Sequence, residues 1–245
     1  MTSFDTIGSI AIFSEEFKGM KKKAEEVLKI RNIETVAVKT KVHSGVFRTR
    51  KINILAGKRK KETTHKESGA EVKLNVETCY FSPRLSNERL RISELIKKDE
   101  NVLVMFSGVG IYPIVFSKNS KAKEIVGVEI NPKAHKYALE NLGLNKVKNV
   151  KLYKGNVNDI LPKLRKKFDR IVMPLPKDAD EFLDLAVKKI KKNGIIHLYD
   201  FEKEEDIPDK ILEKIKGLKV VKIVKCGSFG PGKFRVCVDL KVDKV

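Results

Sequence analysis

From about residue 79 onward the chain alternates apolar strands with amphipathic helices, and this alternation constrains the fold more than any other feature. "RLSNERLRISELIKK" reads as an amphipathic helix, and "NVLVMFSGVGIYPIVFSK" as a strand, a glycine turn and a helix. "AKEIVGVEINPKAHKYALENLGLNKV" repeats the strand, loop and helix. "VKLYKGNVNDILPKL" and "FDRIVMPLPKDADEFLDLAVKKIKKNGIIHLYDF" carry the pattern on. Such an order predicts an α/β unit with a parallel, doubly wound sheet. The closing segment, "LKVVKIVKCGSFGPGKFRVCVDLKV", reads as two strands around a Gly/Pro-rich turn, an antiparallel hairpin that finishes the sheet.

Residues 1–78 read differently, as a small α+β domain ahead of the larger one at 79–245. "EEFKGMKKKAEEVLKIR" has helical periodicity with a solvated Lys/Glu face. "GVFRTRKINILAG" alternates as a strand does, and a basic segment leads to a second strand in "AEVKLNVETCYF". Between residues 39 and 66 stand ten Lys or Arg and one acid, Glu62, so the domain has a basic face. The whole chain carries 52 basic against 32 acidic residues, a formal charge of +20. Such an excess points to nucleic acid, whose phosphates release counterions on binding. A thermophile's charged surface is the competing explanation, but it balances Lys with Glu. No apolar run is long enough to span a membrane, and the N-terminus lacks the features of a signal peptide. Cys79, Cys226 and Cys237 have no paired spacing, which suits a reducing cytoplasm. His43, His65, His135 and His197 are scattered without ligand spacing, so no metal is expected.

The chemistry begins at "MFSGVGIY". Gly108 and Gly110 follow the first strand of the large sheet, where a ligand approaches the backbone and a helix N-terminus offers free N–H groups. Glu129 ends the next strand, about 20 residues on, where an acid accepts both hydroxyls of a ribose. Asn156, in "YKGNVNDIL", ends a third strand and suits an adenine edge. A nicotinamide site normally has a third glycine, and Pro113 stands there instead. The set resembles the class I S-adenosylmethionine-dependent methyltransferases, which implies a Rossmann-like sheet with the methionine at its first strand and the ribose at its second. Many of those enzymes carry an acid just before the glycine loop, and here that residue is Val104.

With the first domain included, "SFDTIGSIAIF", "GVFRTRKINILAG", "TTHKESGAEVKLNVETCYFSPRLSNERLRI", "VMFSGVG" and "VEINPKA" occur in one order. Together they resemble the archaeal and eukaryotic tRNA (guanine-37-N1)-methyltransferase family across essentially the whole chain, in a short form without the extra N-terminal domain of many relatives. The resemblance implies tRNA as partner, engaged at its anticodon stem-loop, and S-adenosylmethionine as methyl donor. It implies Arg48 beside the target base and Glu88 as general base. It implies Tyr80, Phe106, Gly108, Gly110, Glu129, Asn156 and Pro174 around the cofactor. On the RNA side it implies Arg84, Pro174, Pro176 and Lys177, with Arg48. Guanine N1 is a poor nucleophile until its proton leaves; a carboxylate takes it, and a guanidinium steadies the charge that builds on O6. The donor must then sit in line with N1.

Local alternatives stand beside those roles. Glu88 could pair with Arg84 or Arg91 along the helix, and Arg48 could be one more phosphate contact. The family usually has Asn-Leu-Pro where this chain has Pro174-Leu175-Pro176. Either loop carbonyls hold the base or the base is a different one, with Lys177 and Asp178 as possible substitutes. Three functions therefore compete: methyl transfer to guanosine 37, a wyosine-pathway step on a modified guanosine 37 (methylation of a tricyclic base or aminocarboxypropyl transfer), and a tRNA-binding module without catalysis. Arg84, Leu85 and Leu175-Pro176 favour methyl transfer over its aminocarboxypropyl relative, while Val104 weakens that preference.

Overall fold

Residues 3–40, 45–174, 182–215 and 218–243 are described by the structure, a computed structural model. The first body is a four-stranded sheet of β1 (Phe4–Ile7), β2 (Ile10–Phe13), β3 (Thr35–Lys39) and β4 (Ile52–Gly57), in that order. Helix α1 (Met20–Leu28) buries Ala24 and Val27 against Val36, Val38 and Ala56, leaving its lysines in water. The strand expected in "GVFRTRKINILAG" begins only at Ile52, opposite Lys39. Residues 45–48 form a turn instead, closed by the Arg48 N–H on the Gly45 carbonyl at 3.0 Å, with positive φ at both residues. Positive φ is incompatible with a strand, so the alternation of side chains there was fortuitous.

Strands β5 (Glu62–Glu67) and β6 (Ala70–Asn75) form a separate antiparallel hairpin rather than joining the first sheet. Gly8 lets it approach: a Cβ there would lie 2.2 Å from the Thr64 carbonyl oxygen, and the Ser9 N–H reaches Thr63 Oγ1 at 2.9 Å. The other side of the hairpin is bound to α4 (Pro132–Asn145) by side chains that imitate a strand. Asn141 accepts from the Lys73 N–H and donates to the Lys73 carbonyl, at 2.8 and 3.0 Å, and Asn145 does the same for Glu71. The hairpin, assigned from the sequence to the first domain, is thus tied to both bodies.

The large sheet contains β7 (Asn101–Met105), β8 (Glu124–Glu129), β9 (Val150–Lys154), β10 (Phe168–Met173), β11 (Ile190–Lys203), β12 (Lys219–Gly230) and β13 (Lys233–Val242). Its order is β12-β13-β11-β10-β7-β8-β9. Strands β7 to β11 run parallel, and β12 and β13 form the antiparallel hairpin that the sequence predicted. Val102 to Met105 are all fully buried, because helices cover both faces of the central strand and its sequence need not alternate. Helix α2 (Ser86–Leu95) packs against α3 (Ile111–Asn119) on one of those faces. Shorter helices α5 (Val157–Ile160), α6 (Leu183–Lys189) and α7 (Asp209–Lys214) complete the chain. Among the described residues no helix is long and apolar enough to cross a membrane.

Asn141 also donates to the Val109 carbonyl at 2.9 Å, so one fully buried side chain joins the hairpin, α4 and the glycine loop. Replacing it with Ala strands several buried backbone groups without partners. We expect Asn141→Ala to lower unfolding stability by about 2–4 kcal/mol, measured by urea denaturation.

Candidate active site

Strands β8 and β9 lie to one side of β7, and β10 and β11 to the other, so the strand order reverses between β7 and β10. Ligands of open α/β sheets bind at the carboxyl ends of the strands beside such a reversal. There the chain turns sharply, with positive φ at Phe106, Gly108 and Gly110 (63°, 56° and 84°). Gly110 needs its lack of a side chain for packing, since a Cβ would meet the Ala138 Cβ at 3.2 Å where α3 crosses α4. Gly108 needs it for another reason: among the described residues the space above it is open, with only the Tyr80 carbonyl oxygen near, 3.9 Å from where a Cβ would stand.

Glu129 closes this cradle. Its two oxygens accept the Gly108 N–H at 2.8 Å and the Asn131 N–H at 2.7 Å, and the residue is 8% exposed. Burial pushes its carboxyl up, against the pull of those backbone N–H groups. Nearby, the Ser107 hydroxyl is buried without a hydrogen-bond partner among the described residues. Asn156 caps α5 through its side-chain oxygen, at 2.9 Å from the Asn158 nitrogen. Phe106 meets Phe182 edge-on at 5.1 Å, and half-buried Pro174 follows the end of β10. Tyr80, Phe106, Gly108, Gly110, Glu129, Asn156 and Pro174 therefore gather at one edge of the sheet or against its loop. An open cradle, a carboxylate between backbone donors and an aromatic ring fit a nucleoside with a charged tail.

Beside it lies a second cluster of polar side chains that the sequence disclosed only in part. Glu88, on α2, is 5% exposed. It is held by Arg91, with Nε on Oε2 at 2.7 Å and Nη2 on Oε1 at 2.8 Å, and Tyr199 donates to Oε1 at 3.0 Å. Of the two helical partners weighed above, Arg91 is the one engaged. Arg84 turns to Asp5 instead, Nε to Oδ1 at 2.6 Å, and Lys39 shares that carboxylate at 3.4 Å. These contacts lie at the seam between the first sheet and the large body. The segment after Arg48 reaches the same seam, where the Arg50 and Ile52 N–H groups bond the carbonyl and the carboxylate of Glu77. Arg235, on β13, donates to the Tyr80 hydroxyl at 3.2 Å and stacks on Phe201. Pro176 and Lys177 lie outside the described residues.

Tyr199, Arg235 and Asp239 escaped the sequence reading. Their one available signal was polar residues at alternate positions inside apolar strands, in "HLYDF" and "RVCVD". His197, Cys237 and Asp239 also converge, with potential ligand atoms within 4.8 Å of one another. Arg91 and Arg170 occupy both flanks of that trio, and two guanidiniums repel a cation.

Residues 63–225 match the model of the TRM5/TYW2 methyltransferase domain, and residues 1–60 match the TYW2 N-terminal domain. The chain belongs to the TRM5/TYW2 methyltransferase family. It is accordingly an enzyme of the S-adenosylmethionine-dependent tRNA methyltransferase kind, with S-adenosylmethionine as cofactor.

The tRNA (guanine(37)-N(1))-methyltransferase Trm5b of Pyrococcus abyssi is 39% identical over 253 residues, which cover 98% of this chain and 75% of that protein. The tRNA 4-demethylwyosine(37)-methyltransferase Taw21 of Saccharolobus solfataricus is 32% identical over 98% of this chain and 93% of its own length. The tRNA(Phe) (4-demethylwyosine(37)-C(7)) aminocarboxypropyltransferase of Methanocaldococcus jannaschii is 30% identical over 99% and 98%. Among solved structures, Pyrococcus abyssi Trm5b superposes with a TM-score of 0.88 at 36% identity, covering 99% of this chain and 76% of that one. A complex of aTrm5 with tRNALeu gives 0.86 at 30% identity, over 98% and 72%. Methanocaldococcus jannaschii TYW2 in complex with AdoMet gives 0.75 at 27% identity, over 99% and 100%.

The two glycines of this family loop separate packing from binding. Gly110→Ala should cost about 1–2 kcal/mol, a loss of a few degrees in thermal midpoint, through strain at positive φ and contact with Ala138. Gly108→Ala should weaken S-adenosylmethionine binding at least about tenfold by calorimetry, because its methyl group fills the open cradle.

Proposed function

We propose that this enzyme transfers the methyl group of S-adenosylmethionine to N1 of guanosine 37 in the tRNA anticodon loop. The observation that carries the reading is Glu88: a buried carboxylate held by Arg91 and Tyr199, on the helix that packs against the one leaving the glycine loop. In this reading the glycine loop and Glu129 hold the cofactor, with Glu129 on the ribose hydroxyls and Asn156 on the adenine edge. Tyr80, Phe106 and Pro174 line its walls. The basic seam with Arg84 and Lys39 receives the RNA backbone.

When bound, S-adenosylmethionine supplies an electrophilic methyl group. The chain's own task is to make guanine N1 nucleophilic and to aim it. Glu88 accepts the N1 proton, exchanging one of its present hydrogen bonds for the guanine N1–H as the base enters. The negative charge that moves toward O6 is met by a guanidinium, the role assigned to Arg48. Burial of the site excludes water, which would otherwise solvate the carboxylate and weaken each of these contacts.

A second reading is favoured by one residue. Pro174 offers no side-chain hydrogen bond to a guanine edge, and this suits a modified, tricyclic base of the wyosine type. Two of the relatives described above act on 4-demethylwyosine, one as a methyltransferase and one as an aminocarboxypropyltransferase.

The two readings separate in one assay. S-adenosylmethionine labelled in its methyl group, or in its methionine backbone, is incubated with tRNA transcripts bearing G or A at position 37, and the digested nucleosides are analysed by mass spectrometry. The expected product is singly methylated guanosine, from the G transcript alone. Transfer of backbone label overturns methyl transfer, and absence of product from both transcripts moves the enzyme to the tricyclic substrate. Glu88→Gln should slow single-turnover transfer about a hundredfold while cofactor affinity stays within about twofold. Arg48→Ala should lower the maximal rate more than it lowers tRNA affinity; the reverse pattern returns Arg48 to a phosphate contact.

A further inference from the structure

We propose that Asp239 is a positioning residue for Glu88, acting through Arg91 and held in turn by His197. The inference rests on Glu88 being the proton acceptor of the preceding section. Strands β11 and β13 pair His197 with Asp239 and Tyr199 with Cys237, so these four side chains share one inward face of the sheet, opposite α2. Arg91 bridges helix and sheet. Its Nε and Nη2 face Glu88, and its Nη1 and Nη2 face Asp239 at 2.9 and 3.3 Å. Nη2 therefore serves both carboxylates, and the guanidinium plane is fixed from two sides.

A Glu–Arg pair three residues apart on a helix is by itself too weak to hold one geometry. The anchor on β13 supplies what the helix lacks. His197 holds that anchor: Arg170 Nη1 lies 2.7 Å from Nε2 and can only donate, so Nε2 accepts and Nδ1 carries the hydrogen that reaches Asp239 at 2.6 Å. Burial pushes the imidazole toward its neutral form; Asp239 opposes this, and Arg170 and Arg91 reinforce it. Arg170 is fixed below by Glu100, at 2.9 Å, and by the Leu95 carbonyl, at 2.6 Å. The line from Glu100 to Glu88 thus crosses the body in hydrogen bonds of defined direction.

The charges matter as much as the geometry. Three carboxylates, Glu88, Asp239 and Glu100, face two guanidiniums around a neutral imidazole. Burial alone would raise the Asp239 carboxyl, but hydrogen bonds from His197 and Arg91 outweigh it and hold that group well below the usual range. Asp239 therefore stays ionised and takes part of the Arg91 charge. Glu88 is left as the carboxylate of the shared pair that meets the substrate.

The test is a double-mutant cycle on single-turnover transfer, using the full chain and the tRNA that the wild-type enzyme modifies. Asp239→Asn turns an amide N–H₂ toward Arg91 and should lower the rate about tenfold, with S-adenosylmethionine and tRNA dissociation constants unchanged. In the Glu88→Gln background the same change should add nothing, because the group it positions is gone. Arg91→Lys, which keeps the charge but not the fork, should reproduce the loss. It also replaces Asp239→Asn in the cycle if circular dichroism shows that variant to be unfolded. A loss that repeats in full in the Glu88→Gln background, or a wild-type rate in folded Asp239→Asn, overturns the positioning role and leaves the base assignment standing. A wild-type rate in Glu88→Gln alone overturns both.

Discussion

Charge buried in this protein is tolerable only because it is paired, and α2 buries enough of it to bind the molecule together. Arg89, almost wholly enclosed, finds its carboxylate in Glu67 of the β5–β6 hairpin, Nε to Oε1 at 2.5 Å and Nη2 to Oε2 at 2.6 Å. Its guanidinium lies over Phe81 and Tyr112. Arg91, two residues on and on another side of the same helix, takes Glu88 from its own turn and Asp239 from the far hairpin. One helix is thereby tied to elements that precede and follow it in sequence. Removing Glu67 would leave the Arg89 guanidinium short of its partner in a place that water does not reach.

That pairing positions the site. Arg89 also donates to the Ser82 carbonyl at 3.1 Å, and Asn131 donates to the Thr78 carbonyl at 2.8 Å. The Arg50 N–H reaches the Glu77 carbonyl. The segment from Glu77 to Ser82 is thus held by the first sheet, by α2 and by the loop after Glu129, and the Tyr80 carbonyl is brought against Gly108. The glycine loop and the Glu88 cluster share this wall. A change in how the first sheet meets the seam would therefore be felt at the glycine loop.

How much of this the sequence disclosed follows from what kind of information each feature needs. The parallel sheet, the closing hairpin and the edge marked by Gly108, Gly110 and Glu129 depend on local periodicity and turn chemistry, which neighbouring residues carry. The start of β4 did not, because the turn at 45–48 rests on backbone angles that its alternating side chains concealed. Nor did the docking of β5–β6, which depends on Asn141 and Asn145 acting as a strand edge about seventy residues away. Arg91 and Asp239 are separated by 148 residues, and only the register of β11 on β13 brings Asp239 and His197 to the same face. The family resemblance pointed to Glu88 as a candidate; the choice of Arg91 over Arg84 as its partner required Asp5 to be seen holding Arg84.

Val104 shows why a departure from a family pattern must be judged in its setting. It is fully buried on β7, aligned with Gly127 on one side and Val172 on the other, and it packs in the core cluster with Ile114 and Val172. An acid at this point would need a donor of its own, and the residues packed around it are apolar. The polar groups at this edge then lie beyond the strand: the Gly108 N–H, which Glu129 accepts, and the Ser107 hydroxyl, buried without a partner among the described residues. Backbone donors orient a ligand by geometry and add no net charge, whereas an acid adds both attraction and a fixed point. With charge withdrawn from the strand end, the form of this edge depends more on the shape of the loop. That shape is set by Gly110 against Ala138 and by Asn141 on the Val109 carbonyl.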